Sequence, residues 1–466
     1  MRMLLHVSPS TCVSVSREKR FLINSALFAL LAVGSLGARA ETANIDAFVT
    51  DSPAMWSRTQ DAWLKGETAG WFRPLAAQTN AELRYPGYSN SPKVEFLGHG
   101  MCEIVVKCGT GGLLAITMSA YNRGDAGDLP EARFSDLVST LDKDIGAWAQ
   151  ATGKLRPVQE LAAGATINSK VWMCTNTVVE MRWSASRHAV SAQGVKGFRA
   201  EYVQLIFTPR RATGRTSSSG GMSAKGPSAT AMSSKRNVKK GEDGFVYIDG
   251  IPMVDQGEKG YCAVATAERV LRYYGKNLDQ HVLAQMADTQ TKGGTNPEEM
   301  FDVFRRIGLK LDLKINVHCT LAVRQILNTV AKYNLQAKKD KVAVIDLGQG
   351  GVIDLQSVYK SMELTTLRRT RCEREQAAFK KFIADIADSV DQGIPLEWIV
   401  MLGLVKEVPE LPQSAGGHMR VVYGYNKVTK ELLYTDSWGM GHERKTMSFE
   451  DGWTITTGLF SLDPRH

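Results

Sequence analysis

The sequence predicts an α+β protein of two domains. Three observations predict it: a length of 466 residues, too great for one ordinary core; a polar, basic tract near the middle; and, on either side of that tract, strand-like runs grouped apart from amphipathic helices. Apolar content of 43% and charged content of 23% are those of a globular chain, so most of it is expected to fold.

The first element is a leader. Arg17, Lys19 and Arg20 precede an apolar run from Phe21 to Gly34, and Ala38-Arg39-Ala40 supplies small residues before Glu41. This is the pattern of a secretory signal over residues 1–40, cleaved after Ala40, and the apolar run is too short to be kept as a membrane span. The mature protein is therefore expected to be periplasmic or extracellular, with no stable membrane span.

Residues 41–208 form the predicted N-terminal domain, an α+β sandwich. Lys93–Leu97, Glu103–Lys107, Leu113–Ser119, Val171–Ser184 and Glu201–Thr208 are rich in β-branched residues. Phe134, Leu137, Leu141, Ile145 and Trp148 recur at helical spacing within Ala132–Ala151. The composition of this domain suits a substrate-recruiting module, an inhibitory pro-segment and an envelope-binding unit equally.

Residues 209–243 are expected to be a linker, since Ser, Gly, Ala, Thr, Lys and Arg cannot bury a core. Eight cations and no acid fall between 209 and 240, and residues 1–40 carry a net +4. The overall charge of +9 is thus concentrated outside the folded domains, whose remainder is at −3. No basic domain face is left to bind nucleic acid. Gly220-Gly221 within this tract is a candidate self-cleavage point.

Residues 244–466 form the second domain, with helices first and strands last. Val264, Ala267, Leu271 and Tyr274 mark a helix ended by Gly275; Pro297 opens a second, ending at Gly308; Gln376–Val390 is a third. Pro395–Met401, His418–Tyr425, Leu432–Ser437 and Thr454–Leu462 follow as antiparallel strands.

The chemistry concentrates here. Cys262 stands where a loop enters the first helix, and the unpaired amides and partial positive charge of a helix start favour a thiolate. Gln256, six positions earlier, can donate with the Cys262 amide to a developing oxyanion. His418 lies in Gly416-Gly-His-Met-Arg at the start of an apolar strand, placed to hold the thiol proton, and Asp436 in Tyr434-Thr-Asp-Ser-Trp-Gly439 can orient its ring. Tyr261, Gly417, Ser437 and Trp438 are expected to support the site, with Trp438 shielding the His–Asp bond from water.

These segments resemble the papain-like cysteine peptidases, in particular the bacterial branch related to the bacteriocin-leader-processing, double-glycine peptidases, over about residues 246–463. The resemblance rests on the order Gln256, Cys262, His418, Asp436 and on the local sequence around each. It implies a papain-like fold and a thiol peptidase acting on a peptide or protein substrate, with no cofactor and no metal. The Cys-Gly-Ser-Cys-Trp signature of papain proper is absent, and Asp436 replaces its asparagine. A Cys-His-Asp set also serves transglutaminase-like acyltransferases, and an inactive peptidase-fold binding module is the non-enzymatic alternative.

Other cysteines and histidines carry weaker signals. His442 is expected to be a surface residue, not a rival base. His318 with Cys319, and His99 with Cys102, Cys108 and Cys174, do not have metal-site spacing, and Cys102–Cys108 is the easiest disulfide to imagine.

Overall fold

The computed structural model describes residues 42–76, 79–87, 92–160, 166–190, 196–210, 234–276, 278–289, 301–305, 308, 311–320, 323–347, 354–413 and 415–464. The expected signal segment and the Gly220-Gly221 pair lie outside these residues. The protein is α+β, with antiparallel sheets in both halves.

In the N-terminal half, nine strands among the described residues make one antiparallel sheet. Its centre is Glu103–Gly109, Gly112–Asn122, Lys196–Pro209 and Thr177–Val190, paired in that order. Alternation puts Ile104, Val106, Ile116 and Phe207 into a core that the helix Glu131–Ala149 covers with Phe134, Leu141 and Ile145. The run expected as one strand from Val171 to Ser184 is two, Thr166–Met173 and Thr177–Val190. The turn between them is held by Asp51, which accepts from the amides of Thr175 and Asn176 at 2.8 Å each, a tertiary contact that local β propensity does not reveal.

The second half places an eight-stranded antiparallel sheet, counted among the described residues, against helices. Gly416–Asn426 is central, flanked by Leu396–Leu402, Val246–Ile248 and Glu431–Thr435. The helix Cys262–Tyr273 lies on this sheet, burying Val264, Ala267, Val270 and Leu271 against Val421, Leu433 and Phe460 in one core. Gly275 ends it with φ +72°, a left-handed conformation that disfavours any side chain.

The helices-then-strands order is only partly kept. Leu313–Thr320 is an edge strand of this sheet, and Val323–Asp340 is a helix that the sequence reading did not assign. Val238–Lys240, inside the segment expected as linker, pairs with Val246–Ile248, so ordered structure begins before residue 244. The expected strand Thr454–Leu462 starts as a helix, Phe449–Ile455, because the Ser448 hydroxyl caps it by accepting from the Asp451 amide; the strand proper is Thr456–Pro464. Most of the helix expected after Pro297 lies outside the described residues; 301–305 is helical.

All six cysteines from Cys102 onward are free thiols. Cys102 and Cys108 sit at the two ends of one extended run, about 20 Å apart at the rise of a β-strand, and cannot bridge.

Candidate active site

The helix Cys262–Tyr273 begins without a side-chain cap, so its first amides are left for other acceptors. Cys262 is half-buried at that end, and the amides of Ala263 and Met419 point at its sulfur. Two devices fix the helix to the sheet. The Thr266 hydroxyl donates to the Met419 carbonyl at 3.1 Å. Arg269, two turns after Cys262 and so on the same face, donates to the carbonyls of Pro252 and Asp436 and to the Thr435 hydroxyl, each at 2.8 Å.

His418 comes from the central strand and is buried. Its Nε2 lies 3.1 Å from Asp436 Oδ1. Its Nδ1 has no hydrogen-bond partner among the described residues, and the Cys262 thiol stands near enough to raise the pKa of the ring, so Nδ1 is the atom left to serve the sulfur. The indole of Trp438 lies flat on the imidazole, centroids 4.2 Å apart and planes 4° from parallel. Gly417 is exposed, and a Cβ added to it would meet open space.

Opposing effects set the charge states. Burial pushes the Cys262 thiol up, but the hydrogen bond and charge of His418 and the two backbone amides outweigh it and leave the thiol below its ordinary value. Burial lowers His418, yet Asp436 and Cys262 more than compensate and its pKa is raised. Asp436, although buried, is held well below the usual carboxylate range by Arg420, His418 and His442. The set is arranged to separate charge, with thiolate on one side of an imidazolium and carboxylate on the other.

Gln256 is anchored rather than loose. Its Oε1 accepts from the Ser437 hydroxyl at 2.7 Å, its amide donates to the Ser437 carbonyl at 2.8 Å, and its Nε2 donates to the Lys259 carbonyl at 3.3 Å. Gly257, at φ +72°, makes the turn that brings the chain from Gln256 back to Cys262. Tyr261 turns away from the sulfur: its ring lies in a notch of the N-terminal domain, and its hydroxyl meets the Gly124 amide.

Several residues of the site were not read from the sequence. Arg420 Nε is 2.7 Å from Asp436 Oδ1, Lys445 Nζ is 3.2 Å from Oδ2, and Glu407 binds both cations at 2.8 and 3.0 Å. Arg420 stands two positions after His418 on one strand, so alternation places both side chains on one face; that was the available signal. His442, expected at the surface, is buried with its Nδ1 3.9 Å from Asp436 Oδ2, because the turn closes through the Asp436 amide donating to the His442 carbonyl at 3.0 Å. Away from the site, His318 meets Ser461 and His99 meets Asp144. Among the described residues no group of three or more His, Cys, Asp or Glu is placed to hold a metal, and no helix is long and apolar enough to cross a membrane.

No protein-family model and no curated protein matches the chain.

Proposed function

We propose that this protein is an exported thiol peptidase of papain-like fold. The observation that carries the proposal is the sulfur of Cys262 at an uncapped helix start, beside an imidazole that lowers its pKa, binds Asp436 through Nε2 and stacks on the Trp438 ring. Support for the fold assignment is the pairing of a cysteine-bearing helix with an antiparallel sheet that carries the histidine and the aspartate. Export rests on the leader pattern of residues 1–40.

In the proposed reaction the Cys262 thiolate attacks a peptide or isopeptide carbonyl carbon, forming a C–S bond while the carbonyl oxygen takes the electron pair. The Cys262 amide and Gln256 donate to that oxyanion. As it collapses the C–N bond breaks, and the imidazolium gives its Nδ1 proton to the departing amine. Neutral His418 then takes a proton from water, whose oxygen attacks the thioester; the C–S bond breaks, and the thiolate and imidazolium are restored. Asp436 holds the ring by Nε2 throughout.

The test is turnover of a fluorogenic peptide library by the full chain beside Cys262→Ala, with iodoacetamide labelling mapped by mass spectrometry. The expected result is turnover and labelling at Cys262, both lost in the variant. Turnover that persists in Cys262→Ala overturns the assignment. A stable adduct with an added amine, in place of hydrolysis, would identify an acyltransferase.

A further inference from the structure

The loop that carries Gln256 is held from both sides by charges of the N-terminal domain. Lys259, whose side chain is 1% exposed, has its ammonium 2.7 Å from Asp125 and 3.3 Å from Glu103, both N-terminal residues. Arg84 of that domain, equally buried, reaches the other flank at Asp255, 2.7 Å away, and returns to Glu103 at 3.2 Å. Tyr261 closes the contact from the Cys262 side. It fills a notch at Gly124 so tightly that an added Cβ would stand 2.7 Å from the Tyr261 ring and from the Lys259 chain.

We infer that the N-terminal domain is a permanent clamp on the oxyanion loop, and that Lys259 and Asp125 are positioning residues for Gln256. This rests on the peptidase reading and extends it to the role of the N-terminal half. Buried charges keep their partners because an unpaired one is costly, and Asp125 and Glu103, which pair with the Lys259 ammonium, lie across the domain boundary. The Lys259 carbonyl is also the atom that Gln256 Nε2 holds at 3.3 Å. Displacing Lys259 therefore displaces the donor. A removable pro-segment would leave this loop unsupported on release, so the geometry points to a two-domain active enzyme.

The experiment compares the full-length protein with Asp125→Asn, Gly124→Val and Lys259→Arg. Loss of an oxyanion donor costs about 10²-fold or more in kcat, and loosening one is expected to cost about tenfold. In Asp125→Asn and Gly124→Val, kcat on a fluorogenic peptide should fall by that factor with KM unchanged. Affinity for a peptide aldehyde, whose thiol adduct bears the same oxygen, should fall in parallel. Iodoacetamide alkylation of Cys262 and its pH midpoint should stay as in wild type, and Lys259→Arg should keep most of the turnover. Wild-type kcat in both folded variants overturns the clamp. Should the wild type turn over no peptide, the peptidase reading fails, and hydrogen exchange of the 256–261 amides decides the clamp: faster exchange in Gly124→Val supports it, and unchanged exchange overturns it.

Discussion

Arg420 Nε lies 2.7 Å from Asp436 Oδ1, closer to that oxygen than His418 Nε2 at 3.1 Å. The carboxylate that orients the base is thus shared with a buried guanidinium, which Glu407 binds in turn at 2.8 Å. The ion pair with Arg420 lets Asp436 stay ionised at zero exposure.

Arg420→Gln should therefore act twice. It leaves Asp436 and Glu407 short of a buried partner, and removing one member of such a set costs about 3–5 kcal/mol. Urea denaturation checks this, and a loss under about 1 kcal/mol would contradict it. In the protein that still folds, Asp436 pulls harder on the imidazole, so the alkaline limb of the activity profile should move to higher pH.

The pH profile follows from the signs of the two shifts. Thiolate is gained as pH rises past the lowered value of Cys262, and imidazolium is lost as pH rises past the raised value of His418. The two interact, so the limbs belong to the pair. Activity should rise below the ordinary thiol range and fall above the ordinary imidazole range. His418→Ala removes the largest opponent of burial and leaves only the two backbone amides, so the alkylation midpoint of Cys262 should move up, and turnover should drop by about 10²–10⁴. An unmoved midpoint would mean that the histidine does not hold the thiolate.

The parts of this site legible in the sequence were those set by local chemistry. A cysteine at a loop-to-helix junction, a glycine-flanked histidine opening a strand and an Asp-Ser-Trp run each bear their meaning within a few residues. What local sequence could not convey was partnership across the chain. Arg420 and Lys445 look like ordinary strand cations until Asp436 and Glu407 are beside them, and Tyr261 looks like a site residue until Gly124 is seen to hold it. The same holds for the fold: the helix Glu131–Ala149 was plain from its periodicity, whereas the turn at Thr175–Asn176 depends on Asp51, more than a hundred residues away.

Ser437 sets the direction of Gln256 by donating to its Oε1 at 2.7 Å, which turns the amide nitrogen, with one N–H on the Lys259 carbonyl and a second beyond it, to the donating side. Ser437→Ala should let the carboxamide rotate. The expected result is a kcat lower by about tenfold with KM and the alkylation midpoint unchanged, since the thiolate does not depend on this bond. Equal kcat for variant and wild type would remove Ser437 from the positioning of the donor.

Glu397 offers a prediction about stability alone. It lies in the strand Leu396–Leu402, fully buried, and neither carboxyl oxygen has a hydrogen-bond partner among the described residues. Burial raises its pKa well above the ordinary carboxyl value. The sign is then fixed. The unfolded chain releases this proton at a lower pH than the folded one, so folding is opposed increasingly as pH rises through the ordinary carboxyl range toward the folded value. Glu397→Met keeps the volume and removes the titration. A buried polar group left without a partner costs about 1–3 kcal/mol, and the variant should exceed wild type by an amount in that range near neutral pH. The difference should shrink as the pH is lowered to 4, because both proteins are then uncharged at this position. Urea denaturation of the two at a series of pH values measures it, and a difference independent of pH would show that Glu397 enters the folded state already ionised and paired.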